Sequence, residues 1–122
     1  MPRFIVMDTE SNGLAYTCTK LWNFCATEDG STFTYLTDYQ DIREFVSQDD
    51  IKLVGHNSVR HDLVVMNRIL GLDLQFTKFV DTLALSWYFC PDRKSHGLEA
   101  WGETFGIHKV AVDESEWVNP NP

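Results

Sequence analysis

The sequence predicts a single α/β domain built on a mixed sheet, antiparallel at first and parallel later. Three observations carry this. Two alternating apolar and polar segments, "KLWNFCATED" and "TFTYLT", flank Asp29-Gly30, a strong hairpin signal. Two short apolar runs, in "RFIVMD" and "IKLVGHN", read as buried strands. Segments with helical spacing separate the later runs, and parallel strands need such crossovers. At 122 residues the chain suits one domain with one core.

The elements follow in order. Arg3–Asp8 reads as a central strand, and Asn12-Gly13 breaks the chain after it. In the second strand Leu21, Asn23 and Cys25 share one face, and Trp22, Phe24 and Ala26 the other. The hairpin completes a three-stranded antiparallel meander. "TDYQDIREFVSQ" starts with Thr37-x-x-Gln40, the pattern of a capping box, and spaces Ile42, Phe45 and Val46 along a helix. The Ile51–Gly55 strand leads into "HDLVVMNRILGL", whose Leu63, Met66, Ile69 and Leu70 form an apolar face stopped by Gly71. "FVDTLALSWYF" reads as a short strand running into a helix, with Trp87, Tyr88 and Phe89 as packing residues. Pro91 breaks it, and "HGLEAWGETFG" forms a last short helix that His96 begins. Residues 1–110 make up the domain, and 111–122 read as an extension or tail.

The net charge of −8 argues against a module that holds nucleic acid on a basic face of its own. It is compatible with carboxylates gathered around a metal ion. Cys18, Cys25 and Cys90 form no C-x-x-C pair and read as free thiols. No apolar run is long enough to cross a membrane and no signal peptide is recognisable, so the chain reads as cytosolic.

Asp8 and Glu10 stand two residues apart, so on a strand they project from one side. Two acids there repel each other unless something positive lies between them. A hard divalent cation answers that repulsion, and a solvated turn is the plainer alternative. Asp62 opens a helix after the second buried strand, at the same edge of the sheet. By itself it is an acid favoured at a helix start. The combination of the two motifs is more specific than either.

With these residues in view, the chain resembles the proofreading 3′–5′ exonuclease domain of family A DNA polymerases. These are DnaQ-like (DEDD) exonucleases of ribonuclease-H-like fold, and the version in short-tailed bacteriophages is the most similar. "DTESNGL" (Asp8 to Leu14) resembles the first exonuclease motif and "HNSVRHD" (His56 to Asp62) the second. "VDTLALS" with "SHGLEAWGETFG" resembles the segment that precedes the third. The resemblance implies two divalent ions, Mg2+ or Mn2+. Asp8 would bridge both, Glu10 would bind the ion that carries the attacking water, and Asp62 would hold the other. It also implies substrate contacts from Thr9, Leu14, Asn57 and His61. Leu14 would wedge against the terminal base and Asn57 would position the strand. The substrate would be a single-stranded DNA 3′ end.

Two departures stand out. His61 occupies a position that is usually Tyr or Phe. The third motif, Tyr-x-x-x-Asp or His-x-x-x-x-Asp on a further helix, is not matched. His108 and Asp113 have the latter spacing but follow "WGETFG" too soon. The expectation is therefore an N-terminal exonuclease fragment of a phage-type polymerase, lacking the last helix, with a second polypeptide supplying the third motif. An apolar patch should then be exposed, with Trp101, Phe105 and Trp117 as candidates. The alternatives are an inactive exonuclease-fold subunit acting in assembly or regulation, and a self-sufficient nuclease with another fourth ligand.

Overall fold

The computed structural model describes residues 1–107. Five strands form one sheet in the order β3-β2-β1-β4-β5. They are β1 (Arg3–Ser11), β2 (Leu21–Thr27), β3 (Phe33–Leu36), β4 (Ile51–Gly55) and β5 (Phe79–Asp81). The pairs β1/β2 and β2/β3 are antiparallel, and β1/β4 and β4/β5 are parallel. The helices are α1 (Tyr39–Val46), α2 (Asp62–Leu70), α3 (Thr82–Phe89) and α4 (Leu98–Phe105). This is the mixed sheet that the sequence predicts.

The core lies on one face of the sheet. Ile5 and Met7 of β1 and Leu53 of β4 join Ile42 and Val46 of α1 and Val65, Met66 and Leu70 of α2 in one buried cluster. Alternation along β1 turns Phe4, Val6, Asp8 and Glu10 the other way, and all four are exposed. On that opposite face Phe33 and Tyr35 are also exposed, at 61% and 63%.

Gly55 lets this arrangement close. A Cβ there would stand 3.0 Å from Met7 Cε and 3.1 Å from Ser58 Cβ, so an added side chain would force both neighbours to give by a few tenths of an ångström. Gly71 ends α2 in the left-handed conformation, φ 67°, the stop read from the sequence.

Five expectations need correction. β1 runs three residues past Asp8, to Ser11, because β2 continues to pair with it. The simple alternation of β2 fails. Register slips between Glu10 and Ser11, so Leu21 joins Phe24 and Ala26 as buried residues. The capping box does not form. Asp38 is the cap of α1, accepting from the Gln40 and Asp41 N–H groups, while the Gln40 side chain reaches Glu44.

The fourth concerns α3. Trp87, Tyr88 and Phe89 are 58%, 77% and 71% exposed, and only Ser86 of that helix is buried. Apolar residues cover every side of this helix, so no single packed stripe can hide them. His96 is not the cap of α4 either. Gly97 takes that place, and His96 is buried. The ring of His96 stacks on Trp87 at 3.8 Å.

All three cysteines are free thiols, Cys18 buried and the others half-buried. No described helix is long and apolar enough to cross a membrane. The 111–122 segment, His108, Asp113 and Trp117 lie outside the described residues.

Candidate active site

The site forms where β1 ends beside the start of α2. Asp8 and Glu10 sit on the exposed side of β1, as their two-residue spacing requires. Thr9, between them, points to the covered side and is buried. Its hydroxyl donates to Asp62 Oδ1. Asp62, the first residue of α2, is itself buried.

That environment changes Asp62. Burial pushes its carboxyl up to about 6, and the negative charge of Asp8 works in the same direction. The Thr9 hydrogen bonds and nearby His61 oppose the rise without cancelling it. The fold thus brings Asp8 and Asp62, far apart in sequence, within electrostatic reach of each other.

The loop from His56 to His61 is held from the neighbouring strand end. Asp81 caps α3 by accepting from the Leu83 and Ala84 N–H groups. The same carboxylate accepts from Asn57 N–H at 2.9 Å and Val59 N–H at 3.2 Å. Asn57 adopts φ 60°, a conformation for which Asn is well suited. His56 adds a second tie, with Nδ1 2.9 Å from Thr82 Oγ1 and Nε2 2.8 Å from the His96 carbonyl.

The turn carrying Leu14 is anchored separately. Asn12 Oδ1 accepts from the Thr19 and Lys20 N–H groups. Arg68 of α2 donates to the carbonyls of Ala15 at 2.8 Å and Cys18 at 3.1 Å. Leu14 itself is 77% exposed.

The predicted site residues therefore separate into groups. Asp8, Glu10 and Leu14 are exposed, Asn57 and His61 are half-buried, and Thr9 and Asp62 are buried. What the structure gives Thr9 is a bond to Asp62. Asp81 clamps two segments, a role that only its capping half, an Asp before a helical run, announced in the sequence. The tie through His56 had no local signal.

The candidate ligands Asp8, Glu10 and Asp62 offer carboxylate oxygens, which suit a hard divalent cation in donor chemistry. Among the described residues, no group of three or more His, Cys, Asp or Glu side chains is gathered closely enough to hold a metal ion. Beside the site, a groove of about 530 Å³ crosses the exposed sheet face, lined in part by Val6, Asp8, Cys25, Phe33, Val54 and Leu98.

No family model and no curated protein matches the chain. Solved structures do. Brucella melitensis NrnC superposes with a TM-score of 0.76 at 17% identity, over 100% of this chain and 62% of that one. Escherichia coli RNase D, described as an exoribonuclease involved in structured RNA processing, gives 0.63 at 22%, over 99% and 33%. Exonuclease I gives 0.66 at 14%, over 88% and 36%. NrnC has also been solved with bound Mg2+ and with pGG. The chain spans less than two thirds of the length of each of these proteins. At this level of identity the likeness establishes the fold alone, a mixed α/β sheet of ribonuclease-H-like type.

Proposed function

We propose that this chain is the exonuclease-fold part of a nuclease that removes nucleotides from a nucleic-acid 3′ end with the help of divalent cations. One observation carries the reading. The fold brings Asp8, exposed on the same side of β1 as Glu10, within electrostatic reach of the buried Asp62, across a separation of 53 residues between Thr9 and Asp62. The neighbours with this fold include an exoribonuclease and a protein bound to pGG, which supports a nucleic-acid substrate attacked from an end; the 3′ polarity follows from the motif resemblance.

Asp8, Glu10 and Asp62 would hold the cations. When bound, such an ion supplies Lewis-acid stabilisation of the phosphoryl oxygens and an activated water. Asp8 and Glu10 face solvent, where a phosphodiester can approach them. Asp62 sits back in the fold with its position set by Thr9. Asn57, held by Asp81, and the exposed Leu14 would orient the terminal nucleotide.

In the finer form of this reading the substrate is a single-stranded DNA 3′ end, as in proofreading by phage-type polymerases. A second polypeptide then carries the third motif and the polymerase. The three motif stretches of the sequence support it. A second reading is a catalytically inactive exonuclease-fold subunit. The lack of a closed three-carboxylate cluster among the described residues favours that one.

Mn2+ binding and 3′-end shortening, measured together with labelled single-stranded DNA and a short RNA, separate these readings. The expected result is Mn2+ binding that Asp8→Ala weakens at least about tenfold, with shortening lost in that variant. Mn2+ binding without shortening points to a missing fourth carboxylate and a second polypeptide. A folded chain that neither binds Mn2+ nor shortens either substrate overturns the nuclease reading and leaves the inactive subunit.

A further inference from the structure

We propose that Thr9 is a positioning residue: its buried hydroxyl fixes the Asp62 carboxylate relative to Asp8 and so sets the affinity of the site for a divalent cation. This rests on the nuclease reading above and assigns a role inside it.

The pleat of β1 makes the arrangement possible. Asp8 and Glu10 face outward, and the residue between them must face inward. The other inward residues of the strand, Ile5 and Met7, are apolar and buried in the core. Thr9 is the one position where that buried row presents a hydroxyl. The hydroxyl meets Asp62, a carboxylate that burial would otherwise leave poorly solvated. A hydrogen bond to one oxygen restricts rotation of the whole carboxylate, because its two oxygens are rigidly linked. Three consecutive residues thus set the direction of all three candidate ligands, two directly and the third through Thr9. A conserved shape alone would not do this, since a methyl group in place of the hydroxyl offers no donor.

The test compares Thr9→Val, which keeps the branched shape suited to a strand, with Thr9→Ser, which keeps the hydroxyl. Mn2+ affinity is read by electron paramagnetic resonance of the free ion, alongside kcat and KM for 3′-end shortening. Thr9→Val is expected to bind Mn2+ about tenfold more weakly. Its kcat should fall while KM for the nucleic acid stays within about twofold. Thr9→Ser should restore Mn2+ binding. If Thr9→Val does not fold, Thr9→Cys takes its place, being similar in volume and a weaker donor. Parental Mn2+ affinity in Thr9→Val overturns the proposal and leaves the nuclease reading intact. Equal losses in the Val and Ser variants also overturn it, because shape and not the hydroxyl would be responsible. A parent chain that binds no Mn2+, with Asp8→Ala indistinguishable from it, removes the nuclease reading and this role with it.

Discussion

The two faces of β1 differ sharply in what covers them. On one, Ile5 and Met7 are sealed under α1 and α2. On the other, Phe4 and Val6 are 51% and 53% exposed, and Asp8 and Glu10 lie beyond them. One strand thus supplies both the core and the chemistry. The lesson is that burial organises the covered face, while the exposed face is free to concentrate charge. Thr9 connects the two, through a carboxylate on α2.

Substituting one aromatic residue on each face tests this contrast most strongly. Phe24 is wholly buried and Phe33 is 61% exposed. Phe24→Ala should cost about 3–5 kcal/mol of stability, and Phe33→Ala only about 0.5 kcal/mol, both measured by urea unfolding. Equal losses would mean that the outer face is covered in solution.

A pH series sharpens the comparison at the point where the faces meet. The Asp62 carboxyl rises to about 6 on folding. Over the interval from its ordinary range near 4 up to about 6, the folded chain keeps a proton that the unfolded chain has released. Its contribution to stability is therefore present at low pH and lost as pH rises through that interval. The loss amounts to as much as about 3 kcal/mol and is complete above it. Asp62→Asn should remove this slope and be the more stable form at pH 7, with the difference vanishing near pH 4. A parallel slope in the variant would assign the effect to another group. Added Mg2+ should raise the midpoint of thermal unfolding of the parent at pH 7 and leave Asp62→Asn nearly unmoved.

A more local effect concerns the clamp beside the site. Asp81→Ala removes an acceptor shared by four backbone N–H groups. About 2 kcal/mol should be lost. Amide hydrogen exchange should accelerate at Asn57, Val59 and Leu83 before it does in β1. Uniform acceleration throughout the chain would show that Asp81 supports the whole fold and not this loop.

A second contrast runs along the chain. α1 and α2 each carry an apolar stripe, and both were legible as core helices. The helix of residues 82–89 carries apolar side chains on every side, and its aromatic residues stand exposed. Hydrophobicity without periodicity said that a helix was there but not which side of it would be covered.

Much of the candidate site was legible for the same reason. The two-residue spacing of Asp8 and Glu10 settles their common side, whatever lies around the strand. The start of α2 at Asp62 and the turn at Asn12-Gly13 follow from local chemistry as well. The buried bond between Thr9 and Asp62 was not legible, and neither was the loop clamp by Asp81.

By itself, then, the sequence determined the order and type of the elements, the hairpin at Asp29-Gly30 and the outward pair of acids. These depend on periodicity and turn chemistry within a few residues. Tertiary structure alone decided the register slip that buries Leu21, which sheet face α1 and α2 cover, and the meeting of Thr9 with Asp62. Each of those joins residues distant in sequence. Such pairings depend on how the whole core packs, and no local pattern encodes that.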